Sequence, residues 1–280
     1  LIDYTPFLLS DIHNLSEQLQ RSKQGDYKID SSRSGVYNKR TKAFPHNTEL
    51  EATVTYTGSK AGAHLRSVTP DASAVTVNLH HSLIKLPDDN YQTRKFHPYS
   101  GFWQHSYADY ASAIDEPLIK RHIPRHRLHK KNSLSTVSEA VEPIIYYLDA
   151  GVPEPVKTAL LDGARWWDQA FSAIGYKNAF QVKLLPSDAD PMDVRYNVIQ
   201  WVHRATRGWS YGSSVIDPRT GEIIKGHVTL GSLRVRQDYL IALGLTSPFK
   251  NADTDTSAMK EMALARIRQL SAHEVGHTLG

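Results

Sequence analysis

The hydrophobic and polar positions fall into two regimes along the chain. From Leu50 to Tyr56 they alternate, with Ala52, Val54 and Tyr56 on one side, as in a half-buried strand. Ala74 to Ile84 repeats the period of two through Val75, Val77 and Leu79. Gly58 to Gly62, between them, reads as a turn or loop. Leu9 to Gln20 carries a helical spacing ahead of these strands, and Phe96 to Tyr110 is rich in aromatics behind them (Phe102, Trp103, Tyr107 and Tyr110). The polar, Ser/Thr-rich run Asn132 to Ser138 reads as a linker.

Beyond that run the pattern becomes strands alternating with helices. Ile144 to Leu148 is a short apolar strand. Pro153-Glu154-Pro155 suits a helix start, and Val156, Ala159, Leu160, Gly163, Ala164, Trp167, Ala170, Phe171 and Ile174 keep helical spacing up to Gly175. Phe180 to Leu185 and Arg195 to Val202 are expected strands. Asp217 to Gly221 is a hairpin turn, with Glu222 to Leu230 as the returning strand. Asp253, Asp255 and Ser257 are N-cap candidates for a long helix from Ala258 to Leu279. The expected class is α+β, with a β-rich domain over 1–135 and a second domain over 136–280.

Composition narrows the chemistry. The 280 residues are 40 % hydrophobic and 22 % charged, a globular balance, and no apolar run reaches the roughly 18 residues of a membrane span. The chain opens Leu1-Ile2-Asp3-Tyr4, the start expected of a processed or cut terminus rather than of a secretory leader. There is no cysteine, which removes disulfides, thiol nucleophiles and cysteine metal sites. The net charge of +4 comes from one basic segment, Leu118 to Lys131, which holds Lys120, Arg121, Arg125, Arg127, Lys130 and Lys131 without an acid. Fourteen histidines direct attention to metal binding.

His273-Glu274-Val275-Gly276-His277 has the form H-E-x-x-H. Residues four apart on a helix share a face, so both imidazoles can reach one Zn²⁺. The Glu beside the first ligand can hold a zinc-activated water and take its proton. Leu264, Ile267, Val275 and Leu279 form an apolar stripe on the same expected helix, and His273 and His277 fall on the opposite face. The stripe can pack on a sheet while both histidines face a cleft. The bland alternative is a pair of histidines at a helix C-terminus, where a positive charge is favourable. Gly280 follows His277 by three residues, as in the longer pattern H-E-x-x-H-x-x-G-x-x-H. A catalytic zinc takes three protein ligands plus water, so the third ligand is expected outside this sequence.

On these residues the chain resembles the metzincin clan of zinc peptidases, and more narrowly large bacterial zinc metalloproteases with an uncharacterised N-terminal domain. The resemblance rests on His273 to Gly280, Tyr146 to Asp149, Ala164 to Trp167, Arg207 to Gly212 and Asp217 to Gly221. Ser32 to Gly35 and Arg125 to Leu128 fit the N-terminal region. It implies a twisted mixed sheet with two long helices, a zinc ion held by His273 and His277, Glu274 as general base, and endopeptidase activity in a secreted or cell-envelope protein. It also implies a substrate peptide added as a strand, for which the candidate is Gly226, His227, Val228, Thr229 and Leu230. The Met-containing turn of such proteins is expected outside the chain too, because Met192, Met259 and Met262 all precede the motif.

Other functions compete. His122, His126 and His129 could form a second metal face, but Pro124 disfavours one continuous helix through them. The basic segment 118–131 could bind a polyanion, although no nucleic-acid motif accompanies it. A peptidase fold retained as a non-catalytic binding module is the third alternative. No Ser-His-Asp arrangement, phosphate loop or dinucleotide fingerprint is present, and Trp209 to Ser213 lacks the G-x-S-x-G frame.

Overall fold

The computed structural model describes residues 2–204, 208–246 and 255–280. The chain divides into two compact units, Leu1–Lys85 and Leu86–Gly280. The division expected at 135/136 thus falls inside the second unit. Backbone pairing explains the difference. The Arg125 amide donates to the Gly221 carbonyl at 3.1 Å, and the Ile223 amide donates to the Arg125 carbonyl at 2.9 Å. Lys130 also bridges to Ala140, so the expected linker leads from strand pairing into strand pairing.

The first unit is β-rich. Helices α1 (Thr5–Leu8) and α2 (Leu15–Arg21) precede strand β1 (Asp26–Val36), the two-residue strand β2 (Lys42–Ala43) and β3 (Asn47–Ser59). Helix α3 (Ala63–Val68) and β4 (Ala74–Ile84) complete it. β3 is the centre of an antiparallel sheet and pairs with β1, β2 and β4. Ala52, Val54 and Tyr56 are fully buried, as their alternation requires, and they pack with Leu8, Leu65, Val75 and Leu79. Of the helix expected over Leu9–Gln20, only the part from Leu15 is helical, as α2; α1 ends at Leu8, before that span. Asp11 is the cause: its carboxylate accepts from the Leu15 and Ser16 amides and from the Tyr56 hydroxyl. It therefore caps a new helix instead of continuing the old one.

The second unit begins with a hairpin of β5 (His105–Ala108) and β6 (Ile119–His122), followed by β7 (Ser138–Glu139) and β8 (Ile144–Leu148). Helices α4 (Val156–Arg165) and α5 (Asp168–Ala173) lead into β9 (Tyr176–Lys177) and β10 (Phe180–Leu184). Strands β11 (Asn197–Val202), β12 (Tyr211–Ile216) and β13 (Ile223–Gly231) precede α6 (Leu233–Thr246) and α7 (Ser257–His277). The main sheet has the order β10-β8-β11-β13-β12. Its first four strands are parallel, and β12 runs antiparallel along one edge. This is the mixed sheet with long helices that the sequence leads one to expect. β8 is a continuous apolar run, IIYYL, whereas β10, β11 and β13 mix apolar with polar residues.

The core of this unit includes Tyr146, Leu148, Leu160, Ile199, Val228, Leu230, Ile267 and Val275, all at most 1 % exposed. Each such aliphatic side chain contributes ~1.5–3 kcal/mol on burial. The helix expected through Gly175 breaks at Trp166-Trp167. There the amides of Trp166 and Trp167 bond back to Gly163 and Ala164, a tighter three-residue turn that directs the Trp167 ring against α7.

Gly226 to Leu230 lies on β13, which is not an edge strand. β11 occupies one side of it and β12 the other, so no backbone edge is open there for a peptide. The Asp217–Gly221 turn is the reason, since it folds β12 back onto β13. At the start of α7, Asp255 accepts from the Ser257 amide at 2.9 Å, while Thr256 occupies the cap position without a side-chain bond. Asp253 and Arg207 lie outside the described residues.

Candidate metal centre

Helix α7 places the two histidines of the motif one turn apart. Ile267 and Val275 are fully buried, Leu264 is nearly so, and Leu279 packs against the same core. That fixes the apolar stripe inward and leaves His273 exposed and His277 half-buried on the other side. Their Nε2 atoms lie 3.0 Å apart. Two ligands at ~2.05 Å from one zinc, at a tetrahedral angle, would lie about 3.3 Å apart. The arrangement fits a shared ion. His273, Glu274 and His277 bring their ligand atoms within 4.8 Å of one another.

Several contacts hold this turn of α7 in place. Ser271 donates to the Leu160 carbonyl of α4 at 2.7 Å, and the Trp167 indole donates to the Ala272 carbonyl at 2.7 Å. Beyond the motif, Thr278 is fully buried, and its hydroxyl donates to the Val275 carbonyl. The Tyr146 hydroxyl lies 2.8 Å from that Thr278 hydroxyl and 3.2 Å from His126 Nε2. His126, Tyr146 and Thr278 thus form a polar knot next to the turn that carries the two histidines. Desolvation lowers the His126 pKa to about 4, opposed by a hydrogen bond to the Thr278 backbone.

Glu274 is only 5 % exposed. Burial pushes its carboxyl above the usual range, while His273, His277 and the Gly212 amide pull the other way. Strand β12 crosses α7 so closely that a Cβ on Gly212 would collide with the Glu274 carbonyl. Only glycine permits that approach. A cavity of about 200 Å³ opens beside Glu274, with Trp209, Ser210, Leu233, Gln237 and Leu270 among its walls. The outer edge of β12 has no strand partner among the described residues.

The remaining candidates disperse. His126 bonds Tyr146, the His122 ring lies edge-on to Tyr107, and His129 is exposed, so these three do not gather around a point. His80 pairs with the buried Glu49 at 2.6 Å, His81 stands against the rings of Phe7 and His13, and His227 bonds Gln200. The basic segment spends much of its charge internally. Arg127 holds Glu222 through two 2.8 Å bonds and also Asp88, Lys120 bonds Glu116, and Lys131 bonds Glu139. Arg125 and Lys130 donate to backbone carbonyls.

Sequence reasoning missed β12 as the open edge and Trp103 beside the motif. The hairpin turn at Asp217–Gly221 predicts an antiparallel partner for β13, but not that this partner ends the sheet. The Trp103 ring lies 5.6 Å from that of His277, and its amide donates to the Gly280 carbonyl at 2.9 Å. No local signal marked that contact, which joins residues far apart in sequence.

Comparison with known proteins agrees with the motif. Residues 255–280 match the Met-zincin family, DUF4953, and residues 1–131 match a domain of unknown function, DUF5117. No curated protein and no solved structure matches the chain. The second match ends within the compact unit that carries the histidines, because that unit begins at Leu86. The chain therefore joins a DUF5117 region over residues 1–131 to a Met-zincin segment over residues 255–280 that contains the His273-Glu274-His277 cluster.

Proposed function

We propose that this chain contributes to a zinc-dependent endopeptidase in which His273 and His277 are metal ligands and Glu274 is the general base. The observation that carries this reading is the 3.0 Å approach of the two Nε2 atoms with the Glu274 carboxylate in reach. When bound, a zinc ion supplies Lewis acidity for the scissile carbonyl and makes water a competent nucleophile near neutral pH. The Glu274 carboxylate takes the proton of the attacking water and delivers it to the nitrogen of the leaving amine. Its burial between α7, which carries it, and β12 raises its proton affinity, which suits both halves of that transfer.

The substrate is an extended peptide. Its backbone adds to the outer edge of β12, because the β13 stretch Gly226–Leu230 is already paired on both sides. No described helix is long and apolar enough to cross a membrane. An extracytoplasmic setting belongs to this proposal through the family resemblance alone, and cell fractionation checks it.

The decisive experiment compares the intact protein with its Glu274→Gln variant on zinc content and on cleavage of a mixed peptide library. Both proteins should hold zinc, and the variant should lose roughly 10²- to 10⁴-fold in rate. Undiminished cleavage by the variant would remove Glu274 from the chemistry. Zinc binding without cleavage by the unmodified protein would favour a peptidase-like binding module.

A further inference from the structure

We infer that Trp103, from the region matching the domain of unknown function, forms the wall of the substrate cleft on the amino side of the scissile bond. There it selects large apolar or aromatic side chains. The inference rests on the peptidase reading and gives the N-terminal region a part in substrate choice.

Direction comes first. Gly212 of β12 lies against Glu274 and the Cβ of His277, and two residues later Ser214 donates to the Thr278 carbonyl at 3.1 Å. β12 therefore advances in the same sense as α7, from Glu274 towards Thr278. A peptide paired antiparallel to β12 runs the opposite way. Its carboxyl-side residues point towards Tyr211 and the cavity walled by Trp209 and Ser210. Its amino-side residues point towards Ile216 and the Thr278–Gly280 end.

Trp103 stands at that second end. Its ring lies 5.6 Å from the His277 ring, tilted at 42°. Its backbone is tied to Gly280 by the 2.9 Å hydrogen bond. The side chain nonetheless remains 60 % exposed, and its neighbour Phe102 is 47 % exposed. A large ring fixed by its backbone, placed beside a metal-ligand histidine and left open to solvent, offers a preformed stacking surface. Aromatic and apolar side chains gain most from such a surface. The opposite cavity beside Glu274 has its own aromatic wall in Trp209, so the two indoles stand on opposite sides of the cleavage point.

The test pairs two readouts on one peptide series. The peptides differ only in the residue on the amino side of the cleavage point, Phe, Leu, Ala or Asp. Cleavage is measured with the zinc-loaded protein and equilibrium binding with its Glu274→Gln variant, each with Trp103 intact and with Trp103→Ala or Trp103→Phe. The expected result is a Phe-over-Ala preference of about two- to tenfold, the range of one aromatic pair. It should collapse towards one in Trp103→Ala and return in Trp103→Phe. An equal loss across all four peptides would mark Trp103 as structural and overturn the inference, as would a preference that survives Trp103→Ala. If the protein cleaves nothing but its variant binds with a Trp103-dependent preference, the inference stands and the peptidase reading falls. If cleavage depends on Glu274 but the preference ignores Trp103, the reverse holds.

Discussion

The indole nitrogen of Trp167 donates a 2.7 Å hydrogen bond to the carbonyl of Ala272, the residue immediately before His273. Its ring lies over Gly276, where an added Cβ would come within 2.6 Å of Trp167 Cζ2. One side chain thus braces both ends of the turn that carries His273 and His277. Gly276→Ala should force the ring or the helix to shift, at a cost of about 1–3 kcal/mol. A urea titration should show the lower midpoint, and a zinc titration a weaker site. An unchanged midpoint would mean that the ring moves freely and braces nothing.

Metal removal should be visible in stability. Zinc that binds the folded chain and not the unfolded one adds about 2.7 kcal/mol at one hundred times its dissociation constant. A chelator should therefore lower the unfolding midpoint of the intact protein. His273→Ala, which leaves one of the two paired imidazoles, should bind zinc far more weakly and respond little to the chelator. Equal chelator sensitivity in both proteins would place the metal elsewhere.

Arg127 should be irreplaceable by alanine. Its guanidinium holds both oxygens of Glu222, which is 6 % exposed, and also reaches Asp88. Arg127→Ala leaves Glu222 buried without its fork, and breaking such a pair costs about 3–5 kcal/mol. Arg127→Lys keeps the charge but not the two parallel bonds, so it should fall between. Thermal unfolding of the three proteins would rank them, and a tie between Ala and the native residue would refute the account.

His126 predicts a pH dependence. Its folded pKa is about 4 and its ordinary value 6.5, so the folded protein refuses a proton that the unfolded chain accepts in between. Stability should be full above about pH 6.5 and fall as the pH drops towards 4. The shift corresponds to an upper bound of roughly 3 kcal/mol. His126→Gln, neutral throughout, should flatten that part of the curve in urea titrations between the two pH values. An identical slope would assign the dependence to other groups.

The N-terminal sheet shows how much periodicity can and cannot reveal. Alternation through Ala52, Val54 and Tyr56 identified the buried face of β3. The same strand also buries Glu49 and Glu51 on its other face, each 3 % exposed, with His80, Ser82 and Asn47 bonding Glu49. A period of two assigns those carboxylates to solvent. Cross-strand partners, which pattern alone does not identify, account for their burial.

The sequence by itself determined the local elements and the pairing of the two motif histidines. A separation of four residues on a helix leaves His273 and His277 on one face whatever surrounds them, and the apolar stripe of α7 dictates which face turns inward. Alternation likewise fixed β3 and β4, and the apolar run fixed β8. Only the tertiary structure decided which strand is the sheet edge, why α4 and α5 separate, and that Trp103 stands beside His277. Those outcomes depend on contacts between residues far apart in the chain, such as Trp103 with Gly280 and Tyr146 with Thr278. Periodicity reports how a residue relates to its near neighbours in sequence, whereas strand order and the walls of a cleft are set by which distant surfaces pack together.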